Sequence, residues 1–476
     1  MTAPGYPFVV LPIRIRPILA LLMGLVLLGV SACEDVSGLG EANLVVVVVD
    51  ALRADHLGLY GDSGEPPTSP TIDQWGESGV RFEDLAATSS QTVPATLSLF
   101  TALYPRDHGN QYFPRTNSFR VPTRDSRPKI EAGQALLAEV LRNAGFRTAA
   151  IVTNPWLRAE YGFDRGFDEF RTVRPPSRAA YARGERVNQL AGRFIEEHAE
   201  ERFFLYLHYM DVHSPYTPPL EHRAEFLGER TGRLVRRNGP LPKARAVDID
   251  YSRRLYAAEV RGFDDRFREL LALLENAGIA ESTLLVLLAD HGEEFYEHGG
   301  MGHGWTLFEE VVRVPWVMAH PDLPTRLVRM PASGVDVAPT LLDLLEVDGQ
   351  LGATGRSLAS AVSGAQQTPD HPRFSELAEL KAVRLGDRKI IAGLDDAEVS
   401  AYDLAADPGE QQPASGGPDW ASELEMQLSQ WLAAGGALTA VEEPEPARDE
   451  ELERQLRALG YVAEPDEVPA PGDRAP

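Results

Sequence analysis

The chain is 476 residues long, 43% hydrophobic and 25% charged, which suits one large globular domain and a smaller one. Its formal net charge of −25 argues against nucleic acid or an anionic membrane surface as partners. An anionic substrate needs a local positive feature, such as a bound metal ion, to enter so acidic a protein.

The N-terminus reads as a targeting segment. Arg14 and Arg16 precede an apolar run from Pro17 to Val30, which is short for a membrane span. Val30-Ser31-Ala32-Cys33 follows and resembles a bacterial lipobox. Cys33 is the only cysteine, so it has no internal disulfide partner and is expected to carry lipid. The expectation is an exported protein of the cell envelope, periplasmic or surface-facing. Its only membrane contact would be this anchor.

Residues 34–42 then form a linker, and strands and helices alternate beyond it. "NLVVVVVD" is a buried strand, rich in β-branched residues and without alternation. "GQALLAEVLRNAG" (133–145) has helical apolar spacing and a glycine stop. "FRTAAIVTN" is a strand, Val187–His198 a helix and "RFFLYLHYMDVH" a strand. A helix over Leu255–Asn276 leads to the strand in "STLLVLLADHGEE"; the strand "RVPWVMAHP" and the helix "VDVAPTLLDLL" follow. This order predicts an α/β domain over 43–350 with a mostly parallel sheet flanked by helices.

Composition shifts near residue 350. "GRSLASAVSGAQQTPDHP" reads as a linker, and "KAVRLGDRKIIAG" and "VSAYDLAADPGEQ" as antiparallel strand segments. "DWASELEMQLSQWLAA" reads as a helix, giving a smaller α+β subdomain over 351–440. Residues 441–476 read as an acidic linker, a short helix and a disordered tail.

Polar residues gather at strand ends. Asp50 ends the valine run, Asp211 and His213 follow "FFLYLHYM", and Asp290 and His291 follow "LLVLLA". Parallel strands present their carboxyl ends on one edge, where open α/β sheets bind ligands. Aspartate and histidine together suit a divalent cation, with Mn, Ca, Mg and Zn all open.

Several blocks, in order, carry a resemblance. "VVVVVDALRADHLGLYG", "PTSPTIDQWGESGVRFED", "QTVPATLSLFTALYPRDHG", "HYMDVHSPYTPP", "ADHGEEFYEHGGMGHGWTLFEEVVRVP", "YDLAADPGEQ" and "LRALGYV" resemble the sulfatase family of the alkaline phosphatase superfamily. The family places its nucleophile two residues before the proline of a Cys/Ser-x-Pro-x-Arg motif. By resemblance that residue here is Thr92. The resemblance further implies that Asp50, Asp290 and His291 hold one divalent metal ion, which also contacts Thr92. His213 and His303 would meet the anionic oxygens of the ester or protonate the leaving group. The implied activity is hydrolysis of a sulfate or phosphate ester through a covalent Thr92 intermediate.

The chain also departs from the family. Threonine cannot become the formylglycine of sulfatases, Thr96 stands for the motif arginine, and "TNPWLR" replaces a Lys-x-His. A formylglycine hydrate expels sulfate by breaking its own C–O bond, whereas a threonine sulfate ester has no such exit, so the chemistry leans to phosphorus. Threonine also resembles the phosphoethanolamine and phosphoglycerol transferases. Those usually carry several membrane helices, which favours the hydrolase reading. The missing Arg and Lys motivate a third reading, a catalytically silent binding protein.

Other residues are weaker candidates. Asp211 is a candidate partner of His213 and His303 in a second metal site, and His298 a supporting group or second ligand. His208 reads as packed core, and His56 and His108 as structural. The basic stretch "RTGRLVRRNGPLPKARA" reads as a solvated loop.

Overall fold

A computed structural model describes residue 1, residues 39–110, 130–131, 133–175 and 183–435, except 63, 236–237, 242, 365–369, 378 and 395–397, and residues 454–455 and 458–459. Cys33, the leader and most of 441–476 lie outside the described residues. Among the described residues no helix is long and apolar enough to cross a membrane.

In chain order the strands begin with β1 (Asn43–Val49), β2 (Val80–Ala86), β3 (Arg147–Val152), β4 (Glu169–Thr172) and β5 (Phe203–Tyr209). Next come β6 (Gly239–Pro240), β7 (Thr283–Ala289), β8 (Glu294–Phe295) and β9 (Gly300–Gly302). β10 (Arg313–Ala319), β11 (Arg326–Val328) and β12 (Ala332–Ser333) follow. β13 (Arg373–Leu377), β14 (Leu380–Leu385), β15 (Arg388–Gly393) and β16 (Val399–Asp403) lie near the C-terminus.

The main sheet runs β11-β2-β10-β7-β1-β5-β3-β4, with β12 beside β2. β1 is parallel to both neighbours, and β10 alone runs antiparallel to those beside it. Every residue of β1, β5 and β7 is buried, as expected for central parallel strands covered on both faces. The fold class is therefore the α/β arrangement expected from the alternation.

β13 to β16 form a second, antiparallel sheet in consecutive order. The Asp419–Ala434 helix packs on it through Leu424 and Leu428, against Phe374, Val383 and Ile390. Two contacts bear on the site. Ser375 Oγ donates to Ala87 O (2.6 Å) and Glu376 N–H to Thr88 O (2.8 Å), which pins the segment leading to Thr92.

Several local expectations change. The long helix begins at Ala246, not Leu255, because Asp248 sits in its first turn and Arg245 reaches that carboxylate. The segment read as a linker contains a helix, Ala359–Ser363, that buries Ala361 and Val362. β13 was not foreseen; its five residues are all buried and include Arg373 and Glu376, which obscure a strand pattern. Of the expected short helix near the C-terminus, Leu459 is described and buried.

Candidate active site

The carboxyl ends of β1, β2, β3, β5 and β7 share one edge, because these strands point the same way. β1 ends at Val49, Asp50 follows it, and the chain turns at Ala51, whose φ is 62°. Tyr256 holds that turn: its hydroxyl donates to Ala51 O and accepts from Arg53 N–H, both at 2.8 Å. β7 ends at Ala289, and the chain runs on into Asp290-His291-Gly292. A Cβ on Gly292 would lie 2.1 Å from Glu310 O, so only glycine lets the two segments approach this closely.

Thr92 opens the Thr92–Thr101 helix, which begins just beyond β2 and is buried throughout. Helix N-termini carry free N–H groups and a partial positive charge, which suits an incoming anion. Thr92 Oγ1 lies 3.3 Å from His291 Nε2 and 3.5 Å from Asn154 Nδ2.

Asp50 and Asp290 share a pattern. Asp50 Oδ2 accepts from Asn154 Nδ2 (2.5 Å) and pairs with His208 Nε2 (3.1 Å). Asp290 Oδ1 accepts from His291 N–H (2.9 Å) and Ala51 N–H (3.3 Å). The other oxygens, Asp50 Oδ1 and Asp290 Oδ2, are buried without a hydrogen-bond partner. An orphaned buried carboxylate oxygen is costly unless a cation or donor meets it. Both lie near His291 Nε2, at 3.7 and 3.6 Å. Asp50, His208 and Asp290 each bring a donor atom within 4.8 Å of the others.

The charges follow from this geometry. Burial opposes ionisation of Asp50, but His213, the His208 hydrogen bond and His291 outweigh it and hold the carboxyl well below its usual range. Burial and the adjacent Asp50 push Asp290 well above that range. Burial lowers His291 to about 3, helped by His303, and lowers His303 itself to about 4. A divalent cation between the two carboxylates would relieve their repulsion.

His213 and His303 flank this group. Their ring centroids are 4.9 Å apart, and His303 is 4.3 Å from His291. His303 Nδ1 lies 2.8 Å from Glu293 Oε1, and Glu293 Oε2 accepts from Tyr216 OH at 2.9 Å. Burial raises Glu293 to about 7.

A protein-family model described as Sulfatase matches residues 42–347, well over half of the chain. The chain belongs to the sulfatase family. This sulfatase-family chain is 22% identical over 427 residues to an uncharacterised sulfatase, YidJ, of Escherichia coli K12, covering 77% of this chain and 82% of that relative. It is 32% identical over 168 residues to a choline-sulfatase of Rhizobium meliloti, covering 34% of this chain and 32% of that enzyme. A phosphonate monoester hydrolase of Agrobacterium radiobacter superposes with a TM-score of 0.67 at 18% identity, over 82% of this chain and 95% of its own. A structure solved with its substrate D-glucosamine-2-N,6-O-disulfate gives 0.66 at 17% identity, over 83% and 98% of the two chains. The protein's class is that of the ester hydrolases of the sulfatase family.

Asp50, Thr92, Asp290, His291, His213 and His303 thus lie together at one edge of the main sheet. Asp211 does not join them. Its Oδ1 accepts from Gly184 N–H at 3.0 Å, at the start of the Gly184–His198 helix, and among the described residues Asp211, His213 and His303 do not bring their ligand atoms within 4.8 Å of one another, against the expected second metal site. His298 bonds Glu310 (2.6 Å) and Glu410 O (3.2 Å) and stacks on Phe308, fastening the C-terminal segment instead. His108 Nε2 reaches Pro94 O at 3.1 Å and braces the Thr92–Thr101 helix.

Sequence reasoning missed Asn154, His208 and Glu293. Asn154 lies two residues beyond β3, within "TNPWLR", and nothing in that segment marks it as a site residue. Its Oδ1 accepts from Trp156 N–H (2.8 Å), which turns the amide nitrogen toward Asp50. His208 pairs in register with Val48 of β1, two residues before Asp50, a neighbourhood that only the strand order reveals.

Proposed function

We propose that this protein is a metal-dependent hydrolase of phosphate or sulfate esters that acts through a covalent ester on Thr92, with phosphorus the preferred centre. The observation that carries the reading is the meeting of Thr92 Oγ1, His291 Nε2 and the two orphaned oxygens of Asp50 and Asp290. That donor set, two carboxylates, an imidazole and a hydroxyl, fits a divalent ion. Bound there, such an ion supplies Lewis acidity and positive charge for an ester in an otherwise acidic protein.

The chain's own residues do the rest. Asn154 Nδ2 orients the Thr92 oxygen for in-line attack; the Thr92 hydroxyl gives up its proton to solvent as its oxygen bonds the ester centre and the bond to the leaving oxygen breaks. His303 and His213 are buried and uncharged in the free protein, and an anionic ester beside them favours their protonated forms. In that state they bind the ester oxygens and deliver a proton to the departing alcohol. Water then attacks the Thr92 ester and restores the hydroxyl. The phosphonate monoester hydrolase likeness is compatible with phosphorus. Export and lipidation at Cys33 remain part of the proposal, on the targeting segment alone.

The test compares aryl sulfate, aryl phosphate and aryl phosphodiester, with Mn²⁺, Ca²⁺, Mg²⁺ or Zn²⁺, in wild type and Thr92→Ala. Turnover of phosphorus esters that Thr92→Ala abolishes is expected. Sulfate turnover dependent on Thr92 overturns the preference for phosphorus. Turnover that survives in Thr92→Ala overturns the covalent ester.

A further inference from the structure

Four histidines surround Asp50 and Thr92, and they are hydrogen-bonded in two opposite ways. His291 Nδ1 lies 3.0 Å from Gly292 O, His213 Nδ1 2.6 Å from Ser214 O, and His303 Nδ1 2.8 Å from Glu293 Oε1. Gly292 O and Ser214 O are carbonyls and only accept, so Nδ1 of His291 and of His213 carries the proton and Nε2 keeps its lone pair; ionised Glu293 accepts from His303 Nδ1 in the same way. His208 is reversed. Its Nε2 lies 3.1 Å from Asp50 Oδ2, an acceptor, so Nε2 carries the proton. Its Nδ1 lies 2.9 Å from the Tyr206 hydroxyl, which therefore donates to it. Tyr206 is fully buried, and burial together with Asp290 and Asp50 keeps its proton in place.

We infer that His208, although its ring nitrogen lies within ligand distance of Asp50 and Asp290, is a positioning residue and not a metal ligand. Tyr206 locks its tautomer, and His208 and Asn154 together saturate Asp50 Oδ2. Only Oδ1 is then left for the cation. The inference rests on the divalent-ion reading above. The geometric reason is sequence spacing: residues 206 and 208 lie on one face of β5, so the hydroxyl, the imidazole and Asp50 form one chain. Partners that orient a ligand in this way typically alter metal affinity by about 10- to 100-fold when removed.

The test reads the tautomer and metal affinity, not turnover. Full-length protein with ¹⁵N-labelled histidine is examined by long-range ¹H–¹⁵N spectroscopy without and with Zn²⁺, and Zn²⁺ binding is measured by calorimetry. His208 is expected to keep its Nε2 proton in both states. Tyr206→Phe is expected to mix the tautomers and weaken Zn²⁺ binding about 10-fold. His208→Gln keeps an N–H for Asp50 and is expected to bind within about 10-fold of wild type. Loss of the Nε2 proton on adding Zn²⁺, or abolished binding in His208→Gln with an unchanged folded spectrum, overturns the inference. Unchanged tautomer and affinity in Tyr206→Phe overturn the lock. A wild type that binds no Zn²⁺ while showing the Nε2 tautomer refutes the metal reading alone.

Discussion

Asp50 and Asp290 are matched across β1 and β7: each commits one oxygen to hydrogen bonds and leaves the other near His291 Nε2, at 3.7 and 3.6 Å. Ion-free protein should therefore be destabilised by its own site. Burial and Asp50 raise the Asp290 carboxyl in the folded state, so the folded chain binds that proton more tightly than the unfolded one. Stability of chelator-treated protein should fall as pH rises above the ordinary carboxylate range. Adding the ion at about 100 times its Kd should restore roughly 3 kcal/mol, and thermal melts of Asp290→Asn should lack that ion-dependent rise.

Thr92→Ala should lower kcat on the order of 10³-fold or more while Tm moves little, because the hydroxyl makes no contact that closes the helix start. Burst kinetics should show a trapped ester in wild type and none in the variant.

His303 and Glu293 should act as a unit. His303→Asn should cost roughly 10²- to 10⁴-fold in kcat. If Glu293 works through the 2.8 Å bond to Nδ1, the double variant with Glu293→Ala should be little worse than the His303 variant. A double-mutant cycle on kcat/KM checks this, and additive losses refute the coupling.

Asp211 gives a pH prediction away from the chemistry. Burial raises its carboxyl to about 6, so ionising it costs folded stability, and the cost accrues between the unfolded range near 4 and about 6. Asp211→Asn keeps an acceptor for Gly184 N–H and loses the charge. It should be more stable than wild type at pH 7.5, by up to about 3 kcal/mol, and indistinguishable at pH 3.5. Denaturant melts at both values decide it.

The C-terminal sheet is held by buried Lys389, whose Nζ sits 2.9 Å from both Glu309 and Glu410. Lys389→Met leaves two buried carboxylates short of a partner and should destabilise by about 3–5 kcal/mol. A single cooperative melt that loses this much is expected. An unchanged melt shows that the sheet docks by its apolar face alone.

The architecture was legible because its signals are local. The all-apolar runs of β1, β5 and β7 announce central parallel strands, and the residues that follow each run must fall on one edge. That sets Asp50, His213, Asp290 and His291 near one another from the sequence alone, and the ordered motifs add Thr92 and His303. The roles of individual atoms were not legible. Asp211 has the same strand-end position as Asp50, yet it turns to Gly184 because that helix start lies beneath it. His208 sits inside an apolar run and reads as core, and it is core, but it also touches Asp50 across 158 positions of sequence.

Periodicity and strand-end position are properties of a few neighbouring residues, so the chain alone carries them. Which carboxylate oxygen is saturated, and which ring nitrogen bears the proton, depends on groups such as Tyr206, Asn154 and Ala51 that meet only when β1, β3, β5 and β7 pack side by side. Hydrogen bonds saturate and point in one direction, and that selectivity takes effect only once the sheet has closed around the site.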